Sequence, residues 1–322
     1  MSAPEAHTAP DRSRGLLSWV LVALGAAGVL VVAWACLTEW GGVVHGHPAY
    51  LIWLAVTAAA SIVTSLIGWR GRRHSLLRAI VGIVAIALGI GWLAATAWLR
   101  PHTALEPALT AMRSDDTATV TESPTEIVLT PAGVADGTGV FFQPGALVDG
   151  RAYAAVLRPI AEAGHIVVIA KPPLGIAFLA LGALDDARTR FSDVTGWIVA
   201  GHSLGGTVAA IEADERDAAA TAPAVGLMFF ASYPASDLSE SLTARVLSLS
   251  GSADGLSTPE KIEASRANLP ADAEFVQVDG ASHAQFGAYG LQAGDGTPTI
   301  TDEEARTQIS SEALLFVQEV AG

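Results

Sequence analysis

Apolar positions in the first hundred residues form three uninterrupted runs. Residues 16–37, 50–69 and 79–99 contain no Asp, Glu, Lys, Arg or His over 22, 20 and 21 positions. A helix rises about 1.5 Å per residue, so each run is long enough to cross a hydrocarbon core of about 30 Å. We therefore predict a tail over residues 1–15 and a three-span transmembrane region over residues 16–99. Spans without ionisable groups indicate an anchor rather than a transport path.

Basic residues around these runs predict their orientation. Arg12 and Arg14 precede the first run, and RGRRHSLLR (70–78), with four arginines, joins the second run to the third. The connection over residues 38–49 has no Lys or Arg. Positive loops stay in the cytoplasm, which predicts a cytoplasmic N-terminus. Three crossings then place the C-terminal part outside, as part of a multi-pass protein of the cell membrane.

Beyond the spans, the pattern changes to short apolar segments that alternate with amphipathic ones. Residues 100–124 are polar and predict a linker. Strands are predicted at 125–132, 139–146, 165–173, 196–201, 224–234, 245–252 and 273–280. Helices are predicted at 146–164, near 175–190, from the end of the 196–201 strand to about 219, at 258–269 and at 301–321. Apolar strands that alternate with helices predict an α/β domain over residues 125–322, with a mostly parallel sheet covered on both faces.

Charge and cysteine content narrow the classes of function. Residues 101–322 hold 29 of the 32 acidic but only 11 of the 18 basic residues, a net charge of −18. Such a field repels phosphates and argues against a nucleic-acid partner. The single cysteine, Cys36, excludes internal disulfides and a cysteine metal cluster. His45 and His47 have no carboxylate or cysteine near them in the sequence, so we predict no metal site there. The sequence has no dinucleotide- or phosphate-binding glycine motif, so we expect no cofactor.

One short motif carries the candidate chemistry. The stretch IVAGHSLGGTVAA (198–210) places Ser203 in a Gly-x-Ser-x-Gly pattern between an apolar strand and a helix that begins near Leu204. A nucleophilic serine is presented in this setting, on a strained turn between a strand and a helix. Gly201 and Gly205 leave the room that such a turn requires. We therefore interpret Ser203 as a nucleophile.

With this motif in its setting, residues 125–322 resemble an alpha/beta hydrolase. That family places its catalytic residues in the chain order nucleophile, acid, histidine. The resemblance implies Asp254 as the acid, in the loop GSADGLSTPEKI after a predicted strand, with Asp237 as the alternative. It implies His283 as the base, since no other histidine of the domain follows the acid. Asp254 would hold His283 in the tautomer that accepts the Ser203 proton.

The oxyanion hole of this family is made of two backbone N–H groups. One is expected from Leu204, and the other from the loop FFQPGALVD, where Pro144 has no N–H. Gly145 or Ala146 must supply it, and we favour Ala146. The stretches QPGALVDGRAY (143–153) and SHAQFGAYGLQAGDG (282–296) resemble a narrower, dienelactone-hydrolase-like group, although Cys36 lies in a span and excludes a cysteine nucleophile. In the second stretch, Gln285, Tyr289 and Asp295 are expected to pack the His283 loop.

Spacing also limits the shape of the site. Only ten residues, ASDLSESLTA, separate the predicted strands 224–234 and 245–252, which leaves no room for a large cap. The expected function is a membrane-anchored serine hydrolase acting on a small acyl substrate, with the lipid bilayer as its other partner. Two alternatives stay open. One is an acyltransferase, thioesterase or amidase with the same residues, and the other is a non-catalytic binding protein with this fold.

Overall fold

A computed structural model describes residues 15–71 and 76–322. The expected tail, apart from Gly15, and two of the four arginines of the 70–78 loop lie outside the described residues. The chain divides into two compact units. One consists of residues up to Thr38 together with Ile52–Trp98, and the other of Glu39–Leu51 together with Leu99–Gly322.

Three helices long and apolar enough to cross a membrane account for the first unit. They are α1 (Leu16–Thr38), α3 (Pro48–Arg70) and α4 (Leu76–Trp98), each of 23 residues. Trp53 and Trp92 stack with their ring centroids 3.8 Å apart. Their indole N–H groups donate to Thr96 Oγ1 at 3.0 Å and Thr57 Oγ1 at 2.8 Å. The polar atoms of these tryptophans are thus satisfied between the helices, as an apolar surrounding requires.

The second unit is an α/β domain. Its helices are α2 (Trp40–His45), α5 (Ala108–Ala111), α6 (Ala154–Glu162), α7 (Ala183–Arg190), α8 (Leu204–Arg216), α9 (Pro259–Ser265) and α10 (Asp302–Ala321). Its strands are β1 (Ala118–Glu122), β2 (Glu126–Pro131), β3 (Thr138–Gln143), β4 (Ile166–Ala170), β5 (Gly196–His202), β6 (Ala224–Phe230), β7 (Arg245–Gly251) and β8 (Glu274–Val278). The predicted mostly parallel α/β architecture is confirmed.

The strands form one eight-stranded sheet in the order β1-β2-β4-β3-β5-β6-β7-β8. Strands β4, β3, β5, β6, β7 and β8 run parallel, whereas β2 is antiparallel to both β1 and β4. The carboxyl ends of the parallel strands therefore lie along one edge. Loops that leave this edge hold the ligands of open α/β sheets.

Alternating side chains of the central strands fill two cores, one on each face of the sheet. In β3, Val140 and Phe142 face one core and Phe141 faces the other. In β5, Ile198 belongs to the first core and Trp197 to the second, and all five side chains are almost completely buried. Burial of each such side chain contributes about 1.5–3 kcal/mol to stability. Both faces are covered, which explains why these strands are continuously apolar.

Three segments differ from their predicted structure. The helix expected at 146–164 begins only at Ala154, after a 3₁₀ turn over Gly150–Tyr153. Part of the expected 100–124 linker forms α5 and the edge strand β1, in which Ala118 alone is buried, so its sequence ATVTE looks polar. The helix expected near 175–190 begins only at Ala183. Two 3₁₀ turns, Pro173–Gly175 and Ala177–Ala180, precede it. Proline removes a helical donor and Gly175 adopts φ of 68°, so the chain cannot enter the helix earlier.

No large cap covers the carboxyl edge between β6 and β7. Over residues 231–244, all of which the structure describes, the chain forms neither helix nor strand. The prediction of an uncapped domain is confirmed. Access to the carboxyl edge is therefore shaped by loops.

Candidate active site

Ser203 lies at the sharp turn between β5 and α8. Its φ of 52° and ψ of −124° lie outside the regions that ordinary residues favour. Four hydrogen bonds hold this backbone. The Ser203 N–H donates to Phe230 O at 3.0 Å, and the Ser203 carbonyl accepts from Ser232 Oγ at 2.6 Å, Gly206 N at 3.0 Å and Thr207 N at 3.3 Å. Strained backbone of this kind persists only when its surroundings fix it, and it concentrates at functional sites.

Glycine is required beside this turn because other backbone lies against it. A Cβ on Gly201 would collide with the backbone of Gly205, and a Cβ on Gly205 would collide with the carbonyl of Gln143. The close approach brings the end of β3 against the start of α8. The Gly-x-Ser-x-Gly spacing therefore has a direct steric cause in this chain.

His283 and Asp254 form a buried pair at the same edge. His283 begins a 3₁₀ turn after β8, and its Nδ1 lies 2.8 Å from Asp254 Oδ2. Neither side chain is exposed. Asp254 Oδ1 accepts the backbone N–H groups of Leu256 at 2.8 Å and Ser257 at 2.7 Å. The carboxylate is thus fixed by its own loop and oriented towards the imidazole.

The other ring nitrogen of His283 is available. His283 Nε2 is buried and has no hydrogen-bond partner among the described residues. Its ring centroid lies 4.5 Å from that of His202, the residue immediately before Ser203. Ser203 Oγ therefore makes no hydrogen bond to His283 Nε2 in the structure. A histidine held through Nδ1 with its Nε2 unoccupied is the form that can accept a proton from a nucleophile.

Asp237, the alternative acid, is not brought to this pair. It is exposed in the loop after β6. Its carboxylate accepts from the backbone N–H and the hydroxyl of Ser239, at 3.0 and 2.7 Å. These local bonds lower the pKa of Asp237 and account for it as a turn residue.

The expected oxyanion donors lie on the two sides of the serine turn. Leu204 is the first residue of α8, and Ala146 lies in the loop after β3. Within the part of the chain that the structure describes, neither N–H donates to a protein acceptor. The Gly145 N–H is occupied, since it donates to the Tyr153 hydroxyl at 2.9 Å. Of the two alternatives in this loop, Ala146 is therefore the one with a free donor.

Tyr153 contacts the loop that carries Ala146, and His202 contacts Tyr153. The Tyr153 hydroxyl accepts from Gly145 and lies 2.9 Å from His202 Nδ1. Burial raises the pKa of Tyr153, so the phenol stays protonated. Burial, then the neighbouring His283, lowers the pKa of His202 well below its usual value, so this ring is neutral. Sequence reasoning missed both residues, although Tyr153 closes the stretch QPGALVDGRAY.

Asp295 joins the loops that carry the acid and the base. Its Oδ1 accepts from the backbone N–H groups of Gly255 and His283, each at 3.1 Å, and of Gly296 at 2.7 Å. Its Oδ2 accepts from Ala284 N at 2.9 Å. Burial alone would raise the pKa of Asp295, but these four donors together lower it. The expectation that Asp295 packs the His283 loop thus acquires a defined geometry that also includes the Asp254 loop.

Replacing Asp295 by asparagine is expected to lower kcat by about 10- to 100-fold, because hydrogen bonds to a charged group contribute about 1.5–3 kcal/mol. The amide would turn a donor towards backbone N–H groups and loosen the spacing of Asp254 and His283. Steady-state kinetics on a soluble ester would measure the change. Asp272→Asn, at an exposed position, is the matched control. Equal kcat in both variants would contradict this role.

A second buried carboxyl lies under the loop that carries Ala146. Gln143, the last residue of β3, donates its side-chain N–H groups to Glu212 Oε1 and Oε2 at 3.2 and 3.1 Å. Glu212, on α8, is 2 % exposed. Burial raises its pKa to about 8, so this side chain is mostly neutral at pH 7.

Protein stability is therefore expected to fall as pH rises through the titration of Glu212. The folded state holds a proton between pH 4.5, the ordinary value, and about pH 8, whereas the unfolded state does not. The protonated Glu212 carboxyl makes its full contribution to the free energy of unfolding below pH 4.5. That contribution decreases by about 1.4 kcal/mol per pH unit up to about pH 8. Thermal midpoints of the detergent-solubilised chain should fall less with pH in Glu212→Gln than in wild type. Glu215→Gln, exposed on the same helix, should keep the wild-type slope, and equal slopes in all three proteins would contradict the prediction.

Together, the uncapped, mostly parallel sheet, the strained serine turn and the buried His–Asp pair define the alpha/beta hydrolase class. A family model described as "Alpha/beta hydrolase family" matches residues 139–307. The chain belongs to this family, and the resemblance noted from GHSLGG is confirmed. Comparison with curated protein sequences gives no match.

Solved structures with a similar fold include several hydrolases. An alpha/beta hydrolase, MGS-MChE2, from a sediment metagenome of the Mar Chica lagoon in Morocco is 18 % identical, with a TM-score of 0.40, over 52 % of this chain and 90 % of its own. An alpha-beta serine hydrolase homologue from Coxiella burnetii is 14 % identical, with a TM-score of 0.43, over 63 % and 98 %. Esterase 2 from Thermogutta terrifontis, phosphoramylated by tabun, is 17 % identical, with a TM-score of 0.46, over 65 % and 96 %.

Proposed function

We propose that this chain is a membrane-anchored serine hydrolase that cleaves a carboxylic ester or a related acyl bond. The observation that carries the proposal is the buried pair of His283 and Asp254, 2.8 Å apart, at the edge where the strained turn presents Ser203. Membership of the alpha/beta hydrolase family supports it. The apolar helices α1, α3 and α4 support the membrane anchor.

In the acylation step, Ser203 Oγ attacks the carbonyl carbon of the substrate while its proton passes to His283 Nε2. Asp254 keeps the Nδ1–H of His283 in place and stabilises the imidazolium that forms. The carbonyl oxygen becomes an oxyanion and accepts the N–H groups of Leu204 and Ala146. Each such donor contributes about 10²- to 10³-fold in kcat in enzymes of this type. Collapse of the intermediate breaks the ester C–O bond, and His283 returns its proton to the leaving alcohol.

In the deacylation step, water replaces the alcohol. His283 Nε2 takes a proton from water, whose oxygen attacks the acyl carbon bound to Ser203. The second intermediate collapses, the proton returns to Ser203 Oγ, and the carboxylic acid leaves. Every group used is a side chain or backbone N–H of this chain, so the reaction as proposed requires no cofactor.

For orientation, the proposal places the N-terminus in the cytoplasm and the hydrolase domain outside. It rests on the arginines around residues 12–14 and 70–78 and on the lack of Lys and Arg over residues 38–49. An extracytoplasmic domain would act on substrates at or beyond the outer surface of the cell membrane.

A fluorophosphonate probe that does not cross membranes tests both the nucleophile and the orientation. Applied to intact cells, the probe should label wild type and leave Ser203→Ala and His283→Ala unlabelled. Labelling only after cell lysis would mean that the domain faces the cytoplasm, and would still show that Ser203 is an activated nucleophile. No labelling of folded wild type in either setting would favour the non-catalytic binding protein. Turnover of thioesters, amides or acyl acceptors in place of esters would select the other acyl-transfer alternatives.

A further inference from the structure

The segment that follows the third apolar helix is bonded to the loop that carries Ala146. The His102 N–H donates to Leu147 O at 2.7 Å, and the His102 carbonyl accepts from Asp149 N at 3.0 Å. Helix α4 ends at Trp98, four residues earlier. A chain of this length spans at most about 14 Å. The loop that carries Ala146 is thus bonded to a residue only four positions beyond the end of α4.

The connection between the first two apolar helices is fastened to the same region. The Glu39 carboxylate accepts from Thr103 N at 3.0 Å, and the Gly42 N–H donates to Thr103 Oγ1 at 3.1 Å. A small cavity of about 30 Å³ is bordered by Gly46 of this connection and by Pro101. Leu174 and Gly175, in the turn after β4, border the same cavity. This turn therefore lies near both segments that adjoin the apolar helices.

This turn is apolar and exposed. We call residues 173–181 the apolar turn. Its side chains Phe178, Leu179 and Leu181 are 42, 54 and 45 % exposed. Residues 172–184 carry no charge, although residues 101–322 have a net charge of −18. Three exposed large apolar side chains within four positions are typical of a surface that meets another apolar phase.

The apolar turn also borders the site. The Leu147 N–H donates to Gly175 O at 2.8 Å, and Leu147 directly follows Ala146. Strands β4 and β5 run parallel with β3 between them, so the apolar turn and Ser203 leave the same edge of the sheet. An acyl chain that passes along the apolar turn would therefore arrive beside the proposed oxyanion donors.

We propose that the apolar turn enters the leaflet of the anchoring membrane that adjoins the hydrolase domain, and that Ser203 receives esters whose acyl chain is dissolved in that leaflet. The bilayer is the partner because the two segments that border a cavity with the apolar turn are direct continuations of the apolar helices. The substrate class rests on the proposed function, whereas the membrane contact does not.

Fluorescence quenching tests the membrane contact without reference to activity. Because Cys36 is the single cysteine of the sequence, its replacement by alanine gives a full-length background without thiols. A fluorophore is attached to this background through Leu179→Cys, or through Val134→Cys as the control. Val134 is 98 % exposed in the loop before β3, at the opposite edge of the sheet. In vesicles with nitroxide-labelled lipids, the probe at 179 should be quenched at least about 3-fold more strongly than the probe at 134. Equal quenching at the two positions would overturn the membrane contact.

Hydrolysis in the same vesicles tests the substrate class. The triple variant Phe178→Ser, Leu179→Ser and Leu181→Ser is compared with Val134→Ser and wild type on two esters: p-nitrophenyl butyrate in water and a long-chain ester within the vesicles. The rate of hydrolysis by the triple variant should fall at least about 10-fold on the vesicle ester and less than about 2-fold on the soluble ester. Val134→Ser should hydrolyse both esters at the wild-type rate.

The outcomes separate the two proposals. Equal loss on both esters, or no loss on the vesicle ester, would overturn the substrate class and leave the serine hydrolase intact. If wild type cleaved neither ester, the proposed function and the substrate class would both be wrong, and quenching would still decide the membrane contact.

Discussion

Ser203→Ala is expected to lower kcat on a soluble ester by about 10⁴- to 10⁶-fold. Removal of the hydroxyl eliminates the covalent route, and the residual rate would come from substrate binding and the oxyanion donors alone. The variant should fold, because the contacts that fix this turn use the backbone N–H and carbonyl of Ser203. Purified full-length protein in detergent is the material for this measurement.

Ser311→Ala is the matched control for the nucleophile, since Ser311 is exposed on α10 and donates only to Thr307 O. It should keep wild-type turnover within about 2-fold, as surface substitutions generally do. Activity in Ser203→Ala above one tenth of wild type would mean that another group attacks the substrate. In that case the strained turn would need a different explanation.

Asp254→Asn is expected to lower kcat by about 10⁴-fold while leaving the fold intact. The carboxylate now accepts the Nδ1–H of His283, and an amide at this place can turn its NH₂ towards the ring. His283 would then carry its proton on Nε2, the nitrogen that has to accept the proton of Ser203. Hydrolysis of a soluble ester at neutral pH measures the effect.

Asp237→Asn provides a decisive comparison, because the sequence left Asp237 open as the alternative acid. It is exposed and bonded to Ser239, so its replacement should change kcat by less than about 2-fold. The reverse ranking of the two variants would transfer the role of the acid to Asp237. Similar small effects in both would mean that neither carboxylate orients the base.

The strength of the local pattern determined what could be predicted from the sequence. Ser203 was identified by its setting between the buried strand β5 and helix α8, both of which have strong local patterns. Asp254 and His283 were expected from chain order in the family, and the structure brings them together at 2.8 Å. Their catalytic roles stay predictions until the variants are measured.

Other features could not be predicted from the sequence, because they depend on contacts between residues that are far apart in the chain or on how little of a strand is buried. Strand β1 buries little of its surface, so no apolar alternation marked it within the expected linker. Asp295 reaches Gly255 across 40 positions, and Tyr153 reaches His202 across 49. Such partners are defined only by the folded chain. The stretches that contain Tyr153 and Asp295 were nevertheless singled out as specific.

The hydrolase unit is discontinuous in the sequence, since it includes Glu39–Leu51 as well as everything from Leu99 onward. Residues 39–51 leave the ribosome before their partners, Thr103 among them, have been synthesised. They can dock against Thr103 only after α3 and α4, which lie between them in the sequence, have been synthesised. The hydrolase unit is therefore completed only once both apolar helices have left the ribosome, and a truncated protein beginning near residue 100 would lack a native part of that unit. If α3 and α4 enter the membrane during synthesis, as proposed, their insertion comes before completion of the hydrolase unit.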